Sequence, residues 1–437
     1  MLFNSYEFIY VFFPIVFTLY WLAVKYTGFK AKIVLCIASI VFYSFMAIKY
    51  LPLMIASILT NYLIGTSLYK KPSKKSLTAG IIFNIALIIF FKYFDFIFVE
   101  NLNFSDVLRN AVIPLGISFY TFTQIAYLVD AYKRKSATDN SFVSYFLFVT
   151  YFPHLIAGPI LHHKEMLEQF SDKKSYVINY ENIMTGIIFF VLGLSKKVLI
   201  ADNLIQYVSP VFRSVYLGDF VTPLECWCGA FCYTFQLYFD FSGYSDMAIG
   251  LSKFFNFNLP LNFNSPYKSQ SIIDFWRRWH ISLSMFLRDY LYIPLGGNRK
   301  GTLRRYVNVF LTMVLGGAWH GANWTFIFWG VYHGTLLCIN HWLNSFTTSI
   351  KMPKFIFATC TFLLVVLGWV AFRSESIGSA LAYYKNLLNF KQYLLIPEAW
   401  SGISARLPFA LDSVAMPNFY GKNQILFLGL LSLFCFK

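Results

Sequence analysis

Three histidines carry the first chemical signal in this sequence: His280, His320 and His333. His320 lies in Gly316-Gly317-Ala318-Trp319-His320-Gly321-Ala322-Asn323-Trp324, and His333 closes Trp329-Gly330-Val331-Tyr332-His333-Gly334. Imidazole is the side chain best suited to exchange a proton near neutral pH. A buried neutral ring could take a proton from an incoming hydroxyl and return it to a leaving thiolate. The alternative is structural, since a histidine on an apolar face is normally a satisfied core residue. A metal site is disfavoured. His320 and His333 do not share one helical turn as in H-E-x-x-H, and no acid or cysteine stands beside them. Cys226, Cys228 and Cys232 match no zinc spacing, and Met247 replaces the second glycine of a G-x-S-x-G elbow at Gly243–Met247.

Other polar residues sit where apolar ones are expected. Asp240 and Asp246 flank Phe241-Ser242-Gly243-Tyr244-Ser245. Carboxylates inside a membrane cost a few kcal/mol and face a cavity or a partner; the competing reading is that they cap a helix. Phe275 to Tyr290 interleaves apolar and charged residues at helical spacing, which predicts an amphipathic helix lying at the membrane interface or dipping into the protein. Trp276 and Trp279 then suit an interfacial belt. Arg277 and Arg278 either anchor lipid head groups or bind phosphate with their planar, permanently charged forks.

The elements that position these residues follow from composition. The chain has 437 residues, of which 57% are hydrophobic, 21% aromatic and only 13% charged. So few charges cannot clothe a soluble core, which excludes an ordinary soluble enzyme, a disordered chain and a polar nucleic-acid-binding domain. The expected class is an all-α polytopic membrane protein. The net charge of +16 is then read as basic cytoplasmic loops rather than nucleic-acid binding. The seven cysteines lie mostly in apolar runs, so no disulfide framework is expected. The N-terminus lacks the basic region and cleavage site of a signal peptide.

Candidate spans are 7–24, 33–48, 51–66, 78–99, 111–131, 142–158, 183–200, 222–239, 305–320, 322–347 and 355–372, giving about ten to twelve crossings on the ~20-residue requirement. Basic clusters follow the first, third and fifth (Lys25, Lys30, Lys32; Lys70, Lys71, Lys74, Lys75; Lys133, Arg134, Lys135), which places the N-terminus outside the cytoplasm. One membrane domain over 1–437 is expected, with its core at 140–373 and a catalytic block at about 270–334. A more polar segment follows at 374–423, then a short last run, Ile425 to Phe436, that reads as a truncated helix. His154, His162 and His163 flank a bend at Gly158-Pro159.

Asp274 to Asp289 together with Gly316 to Gly334 resembles the membrane-bound O-acyltransferase family, in its bacterial branch of alginate O-acetyltransferase membrane subunits. Tyr151–Ile160, Phe239–Asp246, Pro260–Phe263 and Gly368–Arg373 are similar to that branch as well. The resemblance implies a ring of helices around a thin centre where funnels from both faces meet. It places the principal catalytic histidine at His320 and the second at His280, with His333 in a third position. Asp240, Asp246, Trp319, Asn323, Arg277 and Arg278 are implied as tunnel or substrate residues. It also implies a cytoplasmic thioester donor such as acetyl-CoA, with no permanently bound cofactor and no metal. The implied acceptor is an extracytoplasmic polysaccharide, reached directly or through a periplasmic SGNH-type partner, and the implied location is the bacterial cytoplasmic (inner) membrane. Membrane lipid is the remaining partner, and nucleic acid is not one. The alternatives are a transporter or flippase, for which an intramembrane Asp and His would suit a proton relay, and a non-catalytic scaffold of a polysaccharide export complex.

Overall fold

The structure is a computed structural model, and it describes residues 1–100, 113–134, 141–156, 158–161, 163–346, 353–389, 396–397 and 413–414. Lys135, Ala157, His162, most of the polar segment and the run 425–436 lie outside the described residues.

Seventeen α-helices are described. They are α1 (Phe13–Thr27), α2 (Lys32–Ala47), α3 (Leu51–Lys70), α4 (Lys74–Ile88), α5 (Ile117–Tyr132), α6 (Phe142–Thr150), α7 (Phe152–Leu155), α8 (His163–Ser171) and α9 (Tyr180–Ser195). They continue with α10 (Asp202–Leu217), α11 (Pro223–Phe254), α12 (Ile272–Arg278), α13 (Ile281–Leu287), α14 (Thr302–His320), α15 (Trp324–Phe346), α16 (Lys354–Arg373) and α17 (Ile377–Leu387). The strands among the described residues are one two-residue parallel pair, Ile396–Pro397 with Ser413–Val414. The fold is all-α. Among the described residues five segments are long and apolar enough to cross a membrane: Phe8–Thr27, Lys32–Lys70, Lys74–Tyr93, Tyr180–Leu217 and Lys354–Arg373. The second of these holds two of the expected spans, α2 and α3, joined through the 3-10 turn Ile48–Tyr50.

The chain divides into two compact units, Met1–Lys197 with Phe241–Asn262, and Val198–Asp240 with Phe263–Lys437. The first unit is built on aromatic packing. Phe3, Phe8, Phe12, Phe42 and Phe152 are fully or nearly buried, and Phe12 and Phe152 meet edge to face at 5.5 Å. Outward positions such as Ile37 and Leu63 are exposed and apolar, as lipid requires. Two buried asparagines pair inside: Asn61 and Asn84 donate to each other's side-chain oxygens, at 3.2 and 2.6 Å. Small residues let helices touch here, since a Cβ on Gly193 would lie 2.5 Å from the Gly243 carbonyl oxygen. Lys32, read from the sequence as a loop charge, is buried and donates to Ser144 Oγ at 2.6 Å.

Two readings of the sequence are corrected here. The run 142–158 is not one helix. It breaks at Tyr151 (φ −47°, ψ 107°), because Pro153 has no N–H with which to continue the ladder from α6. Its residues from Ser144 to Leu155 are all buried, so it lies within the protein rather than against lipid. Asp240 and Asp246 cap no helix either. Both lie well inside α11, which runs 32 residues and passes through the Ser-Gly-Tyr-Ser stretch without ending.

The second unit is built around tryptophan. Trp279, Trp329 and Trp369 are buried, with Trp329 and Trp369 stacked at 5.7 Å. Tyr383 of α17 stacks on Phe212 of α10 at 4.5 Å and donates to the Cys226 carbonyl at 2.7 Å, tying three helices together. α14 and α15 form a hairpin whose axes approach closely, because a Cβ on Gly317 would lie 2.4 Å from the Phe326 carbonyl oxygen and one on Gly330 2.5 Å from that of Met313.

Candidate functional site

The second unit gathers most of the candidate residues, and local backbone chemistry explains how. The expected amphipathic helix over 275–290 is two short helices with a corner between them. α12 starts at Ser271, whose side chain accepts from Asp274 N at 3.1 Å. It stops after Arg278, whose carbonyl takes the Asn264 N–H at 3.0 Å. Trp279 turns extended, and His280 adopts the left-handed conformation (φ 43°, ψ 56°) before α13 begins. A non-glycine residue there bears strain of roughly 1 kcal/mol. Such strain persists where the surroundings over-determine it, and it clusters at functional sites. Trp279 is not interfacial. It is buried, 4.8 Å from Trp369 and 5.1 Å from Phe263.

His320 is the last residue of α14, where the chain turns extended at Gly321 (φ −169°). Its half-buried ring packs on Trp319 at 4.9 Å, Phe372 at 5.1 Å and Trp329 at 5.2 Å. His280 is 2% exposed, and His320 lies within electrostatic reach of it. Burial first, and the His320 charge second, hold the His280 imidazole well below its ordinary range.

His333 occupies a different setting. It is fully buried, between Trp329 at 4.9 Å and Trp276 at 5.3 Å, and neither ring nitrogen has a hydrogen-bond partner. Gly368 is small for its sake, since a Cβ there would lie 2.7 Å from His333 Nε2. This ring supports Trp329, which packs on both it and His320.

The remaining candidates divide. Asn323 Oδ1 accepts from Thr325 N at 3.0 Å and its amide donates to the Glu375 carbonyl at 2.9 Å, so it caps α15 and ties down the hairpin turn. Arg278 Nε pairs with Asp274 at 2.9 Å and is engaged within α12. Arg277 instead lines a cavity of about 560 Å³ bounded by α12, α13, α14 and α15. Trp276 forms part of that wall and packs against Trp329 at 5.7 Å. Asp240 and Arg373 both act on Tyr233 within the second unit. Asp246 belongs to the first unit, where Lys196 donates to it at 2.6 Å. Among the described residues no cluster of three metal-ligating side chains occurs.

Sequence reasoning missed Trp329 as the contact between two histidines, although its four-residue spacing from His333 puts both on one helix face. It also missed Arg305 and His341, which join the neighbourhood of Arg277 from α14 and α15. No local pattern marks either.

Known proteins resemble this chain along most of its length. A peptidoglycan O-acetyltransferase of Helicobacter pylori is 43% identical over 426 residues, covering 89% of this chain and 80% of the relative. A probable alginate O-acetylase of Azotobacter vinelandii is 41% identical over 411 residues, covering 90% and 79%. A teichoic acid D-alanyltransferase of Bacillus subtilis is 27% identical over 274 residues, covering 60% and 68%. Residues 35–380, which contain every candidate side chain above, match MBOAT, the membrane-bound O-acyltransferase family. With its apolar spanning helices and its histidines set in a tryptophan-lined hairpin, this multi-pass membrane protein belongs to that family and is an O-acyltransferase.

Proposed function

We propose that the enzyme moves an acetyl group from a cytoplasmic thioester to a hydroxyl on the outer side of the bacterial cytoplasmic membrane, leading to O-acetylation of a polysaccharide. The observation that carries this reading is His320 at the end of α14, held by aromatic rings beside a buried, strained His280. The acetyl group and glycan acceptor are favoured by the names of the Helicobacter pylori and Azotobacter vinelandii relatives.

In this mechanism neutral His320 takes the proton of the acceptor hydroxyl as its oxygen attacks the thioester carbonyl. The tetrahedral intermediate collapses, the C–S bond breaks, and the imidazolium returns the proton to the departing thiolate. Proton transfer of this kind contributes roughly 10²–10⁴-fold. His280, buried beside it, helps to hold the geometry of the pair. The aromatic wall of Trp319, Trp329 and Phe372 keeps water from the thioester. A periplasmic SGNH-type partner would complete transfer to polymer, with the N-terminus of this chain on the same side. Family membership disfavours the transporter and scaffold alternatives.

The test uses the purified protein in sealed vesicles with labelled acetyl-CoA on one side and an oligosaccharide acceptor, with and without the partner, on the other. Label on the acceptor across the bilayer is expected. Acceptor labelled only when it shares a compartment with the donor would refute transfer across the membrane.

A further inference from the structure

One end of the second unit carries groups that the proton-transfer account leaves unused. The turn 321–323 joins His320, the last residue of α14, to Trp324, the first of α15. It lies beside the end of α16, since Asn323 donates to the Glu375 carbonyl at 2.9 Å and His320 packs on Phe372 at 5.1 Å. Gly321 lets the turn sit close, because a Cβ there would lie 2.2 Å from the Phe326 ring. Around the half-buried His320 this rim sets an indole and a carboxylate in the open. Trp324 is 53% exposed, and Glu375 is exposed as well. Gly321, Ala322 and Asn323, which separate the imidazole from the indole along the chain, are short and half-buried.

This end is opposite the basic one. Arg299, Lys300 and Arg304 gather at the start of α14, and Lys354 opens α16. At 1.5 Å per residue the ends of α14 are about 28 Å apart, close to the thickness of a bilayer core. Basic loops favour the cytoplasm, which sets the rim of Trp324 and Glu375 on the outer side, where an acceptor arrives. α15 also carries a second exposed tryptophan, Trp342 at 52%, towards its other end. A membrane belt accounts for both indoles. It does not account for Trp324 sharing its rim with an exposed carboxylate and the His320 ring.

We propose that this rim is a saccharide subsite: the Trp324 indole stacks on a pyranose ring of the acceptor, and Glu375 accepts hydrogen bonds from the sugar's hydroxyls, so that one hydroxyl is presented to His320. The C–H face of a pyranose is apolar and its edge is polar. An exposed indole matches the face, and a carboxylate matches the edge through charge-assisted bonds. Asn323 ties the two segments together. Its amide bonds the Glu375 backbone, and its Oδ1 caps α15 at Thr325 N, one residue past Trp324. The chemistry at His320 rests on the acyl-transfer reading above; the saccharide contact does not. The first acceptor is then a sugar hydroxyl held by this chain.

The test is transfer from labelled acetyl-CoA by the detergent-purified full chain to an alginate oligomer, a peptidoglycan disaccharide or glycerol, the last a hydroxyl compound with no ring to stack. Trp324→Ala is expected to raise KM for a saccharide about tenfold, while Trp324→Phe, which keeps a stacking face, stays within a few-fold of wild type. Glu375→Gln keeps the backbone carbonyl that Asn323 uses and should raise the same KM several-fold. Transfer to glycerol and KM for the thioester should change little in all three, and Trp342→Ala should leave saccharide transfer intact. A saccharide KM unchanged in both Trp324→Ala and Glu375→Gln overturns the subsite. So does a loss shared by glycerol transfer and by Trp342→Ala, which is the effect of a membrane belt. Glycerol labelled while neither saccharide is bound or labelled overturns it as well, and so does label that reaches only an added SGNH partner. Calorimetry keeps the two readings apart: if saccharide binds in a Trp324-dependent way but no acceptor is labelled, glycerol included, the catalytic reading falls and the subsite stands.

Discussion

Two bends in this protein each place a histidine at a helix break, and they differ in what the ring is left to do. In the first unit, α6 stops at Tyr151 and Pro153 opens the short helix that carries His154. That ring is buried, and its Nε2 donates to the Phe148 carbonyl at 2.9 Å, closing one of the carbonyls the break would have orphaned. In the second unit, α12 stops at Trp279 and His280 takes a left-handed backbone with no side-chain capping bond. It is equally buried, but its electrostatic neighbour is another imidazole, His320. One histidine repairs a helix end; the other bears strain beside a second titratable ring. Burial alone does not distinguish structural from chemical histidines. The partner and the backbone do.

The comparison can be broken most sharply at His280. His280→Gln keeps a buried polar side chain of similar size but removes the imidazole, so turnover is expected to fall about 10²-fold while Tm stays near wild type at neutral pH. A parallel loss of Tm would make His280 a structural residue like its counterpart. At the other bend, His154→Leu is expected to destabilise by about 1–3 kcal/mol, because the Phe148 carbonyl loses its donor in a buried site. Chemical denaturation measures this, and turnover per folded molecule should stay near wild type. The smallest effect is on pH. The folded His280 ring refuses a proton that the unfolded chain accepts below about pH 6.5. Stability is therefore full above that pH and declines as pH falls, by up to about 1.4 kcal/mol per unit for this group. In melts between pH 7 and 5, His280→Gln should flatten that acid limb relative to wild type.

Much of this arrangement was legible in the residues. The glycines at 316, 317, 330 and 334 announced close helix contact, and the structure uses two of them to seat α15 against α14. Composition alone pointed to a helical membrane protein. The corner at His280 was not legible, because apolar and charged residues keep helical spacing straight through it and no glycine or asparagine marks the positive φ. The length of α11 was hidden for the opposite reason. Gly243 and its serines look like punctuation, yet Gly243 is there for close approach to Gly193, with a Cβ only 2.7 Å from that carbonyl oxygen. The cavity beside Arg277 was out of reach of any local pattern, since His341 joins its wall only through the fold. Asn323 looked like a lining residue because of its neighbours; its hydrogen bonds make it a cap.

The central claim is that His320 moves the proton in acyl transfer. The direct measurement is single-turnover transfer by purified His320→Ala, with and without added imidazole. The account predicts a loss greater than about 10²-fold, partial recovery with imidazole, and unaltered coenzyme A binding. Transfer within a few-fold of wild type, with no response to imidazole, would contradict it.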